Sequence, residues 1–255
     1  MVNALIFDCD GVLADTERFG HLPAFNQTFA EFGLPVRWSE AEYGEKLKIG
    51  GGKERMASLL TADFVRQAHL PTDAEEQRQM LAAWHKRKTA IYKEIVAAGR
   101  LPGRPGIARV VTEAIANNWK LAVASTSAEE AVRAILEHVV GRDLAAHFAV
   151  LAGDIVPKKK PAPDIYQLAL ERLHANPQEV IVVEDSRNGL LAAIGAGLRC
   201  VVTLSSYTEQ EDMHEAILVV SNFGEPDRPM HVLANRGQAL PGTCITLHDL
   251  VACLV

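Results

Sequence analysis

The sequence predicts an α/β protein, with a Rossmann-like parallel sheet core interrupted by an inserted α-helical segment. Three observations predict it. Residues Ala4–Phe7 form a short, continuous apolar run, as expected of a strand covered on both faces. After residue 100, further short apolar runs alternate with helical patterns, which is the signature of βαβ units. Between these regions the chain offers helical patterns but no convincing strand. The predicted division is therefore a core of residues 1–14 plus 100–255 and a helical insertion of residues 15–99.

The first strand is broken at Gly11, and Asp15 or Thr16 is placed to cap a helix running toward Phe32. In the insertion, a helix over residues 40–47 precedes the run Gly50-Gly51-Gly52, and a second is predicted over 53–66. Thr72 or Asp73 then caps a long helix that Gly99 can end. Beyond Pro102-Gly103-Arg104-Pro105-Gly106, strands are predicted at residues 121–124, 149–151, 180–183 and 200–203. Helices fit at residues 107–117, 129–139, 164–173 and 190–196. After Asn222 the pattern weakens; residues 243–247 are a candidate last strand and 248–254 a candidate last helix.

The chain is 255 residues long, with 48% hydrophobic and 23% charged residues, an ordinary globular composition able to bury a sizeable core. A net charge of -6 gives no overall basic face for nucleic acid, so a phosphate ligand needs a locally basic pocket. Cys9, Cys200, Cys244 and Cys253 lack close paired spacing and suit reduced thiols better than a zinc site. No apolar run approaches the roughly 18 residues needed to span a bilayer. The first apolar stretch is too short for a signal peptide. The expected location is the cytoplasm, or an organelle if a transit segment has been removed.

In open parallel sheets, ligands bind beyond the carboxyl ends of the strands. The residues there are Asp8-Cys9-Asp10-Gly11, Ser125-Thr126-Ser127, Lys158-Lys159-Lys160-Pro161 and Glu184-Asp185-Ser186. Each has an ordinary reading when taken alone. Asp10-Gly11 is a turn signal. Ser125 can cap a helix, with Glu129 close behind. The three lysines are a solvated charge run. Asp185 can cap the helix that holds Leu190. Together, at successive strand ends, they are an inventory for phosphoryl transfer: a nucleophile, a proton shuttle, a cation and hard oxygen ligands for a metal.

In that order, these motifs resemble the four of the haloacid-dehalogenase superfamily. The likeness is greater to the branch of β-phosphoglucomutase and phosphoglycolate phosphatase. Residues 50–56 (Gly-Gly-Gly-Lys-Glu-Arg-Met) and the flanks of Asp8 and Lys160 resemble the xylulose-1,5-bisphosphate phosphatases that accompany Rubisco, and their plastid relatives.

The resemblance implies that Asp8 attacks phosphorus and becomes the aspartyl phosphate, while Asp10 serves as acid and then base. Magnesium would take Asp8, the Asp10 carbonyl and Asp185, with Glu184 in or beside its ligand set. Ser125, with Thr126 beside it, would hold the phosphoryl oxygens, and Lys160 would neutralise them. The insertion would be a helical cap. There Glu17 could accept from a sugar hydroxyl, and Gly51, Gly52 and Lys53 could hold a non-reacting phosphate. Lys88, Tyr43 and Arg55 offer further contacts. A solvated basic helix face is the plain alternative for these cap residues.

In mutase-like members, a histidine in the first cap helix is tied to mutase chemistry. Here Gly20 stands there and His21 comes one residue later. The expected protein is a monomeric, magnesium-dependent sugar phosphatase that binds neither nucleic acid nor membrane. A β-phosphoglucomutase-like phosphomutase is the alternative. A dehalogenase is disfavoured by the Asp10 acid, and nothing suggests a degenerate, non-catalytic fold.

Overall fold

The computed structural model describes residues 3–49 and 51–255. Gly50, singled out above, lies outside the described residues. The chain divides into two compact units, one of Met1–Asp15 with Leu101–Val255 and one of Thr16–Arg100.

The first unit is built on a seven-stranded sheet. Its strands are β1 (Ala4–Phe7), β2 (Lys120–Ser125), β3 (Phe148–Ala152), β4 (Val180–Glu184), β5 (Arg199–Thr203), β6 (Leu218–Val220) and β7 (Val232–Asn235). The spatial order is β3-β2-β1-β4-β5-β6-β7. All neighbours are parallel except β6 and β7. β1 is an interior strand and wholly buried, which explains its unbroken apolar sequence. The chain order reverses beside β1, so loops leaving β1, β2 and β4 lie side by side at one sheet edge.

Among its described residues, the second unit contains a π-helical turn (Glu17–His21) and five helices. These are α1 (Leu22–Glu31), α2 (Glu40–Leu47), α3 (Gly52–Ala57), α4 (Ala62–Gln67) and α5 (Ala74–Ala97). Phe25, Phe29, Trp38 and Tyr43 pack as a buried aromatic group. Asp73 caps α5 by accepting from the backbone N–H groups of Glu75 and Glu76, both at 2.9 Å. Gly99, at φ +63°, ends it. The first unit's helices are α6 (Ile107–Ala116), α7 (Glu129–Val140), α8 (Arg142–Ala145), α9 (Asp164–Leu173), α10 (Arg187–Gly195) and α11 (Leu247–Ala252).

Three expectations about elements are corrected. The helix predicted over 53–66 is two short ones, because the Thr61 hydroxyl accepts from the Phe64 N–H and starts α4 anew. Residues 243–247 are not a strand: Thr246 forms a capping box with Asp249 and starts α11. The last strands are instead β6 and β7. Neither Asp15 nor Thr16 caps the first helix, since the Thr16 side chain makes no capping bond and Asp15 accepts from the Ser206 hydroxyl. All four cysteines are free thiols. Among the described residues, no helix is long and apolar enough to cross a membrane.

Candidate active site

Asp8 follows β1 directly, and its backbone N–H donates to Val183 of the neighbouring β4 at 2.9 Å. This fixes its position against Glu184 and Asp185 at the end of β4. One carboxylate oxygen from each of Asp8, Glu184 and Asp185 can be chosen so that all lie within 4.8 Å of one another. All three residues are buried. Lys160 donates to Asp8 Oδ1 and to Glu184 Oε1, each at 2.6 Å, and to the Ala124 carbonyl at 2.9 Å.

Two glycines make room for this cluster. A Cβ on Gly11 would lie 2.0 Å from Asp185 Oδ2, and Gly11 also holds φ +86°, a conformation disfavoured for other residues. A Cβ on Gly189 would lie 1.9 Å from the Glu184 carboxyl carbon.

Three buried carboxylates face one ammonium, and the electrostatics register the imbalance. Burial, opposed by Lys160 and reinforced by Glu184 and Asp10, pushes the Asp8 pKa up to about 8. Burial, then Glu184 and Asp8, pushes Asp185 well above the carboxylate range. Burial pulls Lys160 down, but Asp8 and Glu184 outweigh it, and the ammonium is held charged. An all-oxygen, anion-rich and buried donor set of this kind fits a hard divalent cation.

The structure also separates the ordinary readings from the chemical ones. Ser125 caps no helix: α7 starts with Ala128 as its N-cap, and Ser125 Oγ accepts from the Ser127 N–H at 3.1 Å. Ser186, rather than Asp185, caps α10. Lys158 and Lys159 are exposed, the latter paired with the exposed Asp154, while Lys160 turns inward. Asp10 is half-buried and its carboxylate accepts from Ser127 Oγ at 2.5 Å. Thr126 is exposed.

Sequence reasoning gave Ser127 no role of its own and missed Tyr166 and Gly189. Tyr166 Oη donates to Glu184 Oε1 at 2.5 Å, and Lys160 Nζ lies 4.9 Å from its ring centre. A glycine inside the first turns of α10 was the legible signal for Gly189. Tyr166 sits on a regular apolar helix face and gave none.

The second unit holds its own polar groups. Tyr43 Oη donates to Glu17 Oε2 at 2.5 Å, and Arg55 donates to Tyr43 Oη at 3.2 Å. The three residues picked from the sequence thus form one cluster. Lys88 is buried; its ammonium lies 2.8 Å from His21 Nδ1 and 4.6 Å from the Phe25 ring centre. His21 stacks on Tyr92, and burial, then Lys88 and Arg55, holds its pKa well below the usual histidine range. The His21 ring is therefore neutral and accepts from Lys88. Lys53 is exposed on the first turn of α3, and Gly52 is packed so that a Cβ would lie 3.3 Å from His85 Nε2. Gly51, at φ +91°, precedes that helix.

Residues 2–197 match the haloacid dehalogenase-like hydrolase family, and the chain belongs to it. Within that family it is a hydrolase of the phosphatase kind. It is 46% identical over 239 residues to the CBBY-like protein of Arabidopsis thaliana, covering 93% of this chain and 74% of that protein. It is 41% identical over 226 residues to the protein CbbY of Cereibacter sphaeroides, covering 88% and 94%. Among solved structures, a CbbY variant from Rhodobacter sphaeroides in complex with xylulose 1,5-bisphosphate matches with a TM-score of 0.72 and 39% identity. That match covers 87% of this chain and 95% of the other.

Proposed function

We propose that the protein is a magnesium-dependent phosphatase that works through an aspartyl phosphate on Asp8. Its substrate is a small phosphorylated sugar, with a bisphosphate such as xylulose 1,5-bisphosphate as first choice. The observation that carries this reading is the buried group of Asp8, Glu184 and Asp185, with Lys160 bonded to two of its carboxylates.

Asp8 and Asp185 would hold the metal, with Glu184 in or beside its ligands and the Asp10 carbonyl as a further oxygen. When bound, magnesium supplies positive charge to the carboxylates and to the phosphoryl oxygens. An Asp8 oxygen attacks phosphorus, a new P–O bond forms, and the bond to the sugar oxygen breaks. Asp10 gives its proton to that leaving oxygen. It then takes a proton from the water that attacks the aspartyl phosphate, releasing inorganic phosphate and restoring Asp8. Lys160 neutralises the phosphoryl charge, and Ser125 and the Thr126 backbone orient its oxygens.

The bisphosphate preference rests on likeness to the CbbY variant crystallised with xylulose 1,5-bisphosphate. It rests also on the basic side chains of the second unit. Lys53 would take the distant phosphate, with Gly51 and Gly52 allowing backbone N–H groups to approach it. Glu17, Tyr43 and Arg55 would meet sugar hydroxyls. The phosphomutase alternative has less support, because the relatives of higher identity are CbbY proteins.

A panel of sugar mono- and bisphosphates, incubated with magnesium and assayed for free phosphate and phosphorylated sugar products, tests the reading. The expected result is phosphate release, with the highest kcat/KM on a bisphosphate. Transfer of phosphate within the sugar, without net release, would overturn it.

A further inference from the structure

Where the chain returns to the first unit it carries a cation that the proposed reaction does not use. Arg104 is half-buried. One guanidinium nitrogen donates to the carbonyls of Leu204 and Ser221, each at 2.7 Å, and reaches the Thr203 hydroxyl at 3.4 Å. Its backbone N–H donates to the Leu13 carbonyl at 2.9 Å. Gly103 next to it pairs with Ala14. One residue therefore ties the loop after β1 to the ends of β5 and β6.

The strand order gives this tie its meaning. β4 lies between β1 and β5, so Asp185, which follows β4, sits between the two loops that Arg104 joins. On one side, Gly11 approaches Asp185 so closely that a Cβ would overlap its carboxylate. On the other side, Ser205 follows Leu204, whose carbonyl Arg104 holds. Ser205 acts on the Asp185 carboxyl through its side chain, and Ser206 donates to Asp15. The Nε–H of Arg104 is buried and has no hydrogen-bond partner. The guanidinium is thus not saturated by the backbone it holds; the carboxylates whose charge acts on it are Asp185 and Asp15.

We infer that Arg104 is a positioning residue for the metal site, setting the place of Asp185 by tying together the loops that flank it. The inference rests on the proposed role of Asp185 as a magnesium ligand. Partners one step out from a metal ligand fix its orientation, and losing one typically costs 10–100-fold in metal affinity.

The test compares wild type with Arg104→Met, Ser205→Ala and the double variant. Magnesium chloride is titrated into chelator-stripped protein and thermal unfolding is followed; kcat on p-nitrophenyl phosphate is measured at saturating magnesium. Each single variant should raise the magnesium midpoint about tenfold. The double variant should add less than the product of the two, since both act on one carboxylate. Saturating magnesium should bring kcat back to near wild type. A lowered Tm with an unchanged magnesium midpoint would mean that Arg104 only holds the fold, and would overturn the inference. Should Arg104→Met not fold, Arg104→Lys keeps the charge but loses the planar fork, and should show a smaller rise in the same direction.

If wild type itself shows no magnesium response, the metal reading fails separately. Arg104→Met and Asp185→Asn are then compared singly and together in chelator. Non-additive losses of stability uphold the tie between the two residues, and additive losses overturn it.

Discussion

The two units keep ionisable side chains in opposite electrostatic settings. At the strand ends of the first unit, three buried carboxylates meet one ammonium, and Asp8 and Asp185 are pushed toward their protonated forms. In the second unit the field has the other sign. Burial, then Lys88 and Arg55, pulls down His21; burial, then Lys88 and Lys53, pulls down His85. The first setting favours a bound cation and the second favours a bound anion. A metal-dependent enzyme for a substrate with two phosphates needs both. Neither setting would be worth its desolvation cost in a protein held together by apolar packing alone.

The comparison breaks most sharply at Asp8. Asp8→Asn keeps the shape but replaces the proposed nucleophile with a far poorer one, so turnover should fall by at least about a thousandfold. The measurement is kcat with verified pure protein, alongside circular dichroism to show that the fold persists. Turnover within tenfold of wild type would remove Asp8 from the chemistry, and the anion-rich cluster would need another purpose.

Lys53 tests the second setting. Lys53→Ala should lower kcat/KM for a sugar bisphosphate by about 10–100-fold, the worth of a charge-assisted hydrogen bond of roughly 1.5–3 kcal/mol. It should leave p-nitrophenyl phosphate nearly unchanged, since that substrate has no second anion. Lys88→Met offers the contrast: Lys88 is buried against Phe25 and bonded to His21, so its loss should lower Tm as well. Equal losses on both substrates for Lys53→Ala would make Lys53 a general support of the helical unit.

Gly189→Ala probes the packing behind the first setting. The added methyl would overlap the Glu184 carboxyl, whose oxygens already accept from Lys160 and Tyr166. Overpacking of this kind costs about 1–3 kcal/mol, to be read as a lower denaturation midpoint. Unchanged stability would show that Glu184 has room to move and is not held at one position.

These residues also mark what the sequence could convey. Asp8, Glu184 and Asp185 were legible because a strand buried on both faces leaves an unmistakable apolar run, and the polar residues that end it stand out; Lys160 was legible from its lysine run before Pro161, in the loop after β3. Tyr166 was not, because it reaches the cluster from a helix whose apolar pattern explains the residue without it; Gly189 left only the weak signal of a glycine inside a helix. The same physics explains the strands. β6 is buried like β1 and β4 but has only three residues, too short a run to stand out, and β7 is an edge strand with Val232 and Leu233 exposed. Ile245 is buried within residues 243–247, and an apolar residue beside a helix cap mimicked a strand. The short helices α3 and α4 ran together because both present polar, helix-favouring residues, and only the Thr61 cap divides them.

The smallest expected effect concerns pH. Without a metal, the folded-state pKa of Asp8 is about 8, against an ordinary value of 3.8, chiefly through burial. Between those values the native protein binds a proton that the unfolded chain has released. Stability is therefore fully present below about pH 4 and declines as pH rises toward 8, by at most about 1.4 kcal/mol per pH unit for one proton. Asp185, also raised, adds to the decline in the same direction. A divalent cation favours the ionised carboxylates and reverses this balance, so magnesium should stabilise the protein more at pH 8 than at pH 6. Thermal unfolding measured from pH 5 to 8, once with chelator and once with saturating magnesium, should give two curves that separate as pH rises. Parallel curves would mean that no carboxylate in the cluster loses a proton on binding the metal. The contrast between an anion-rich first unit and a cation-rich second would then lose its energetic basis.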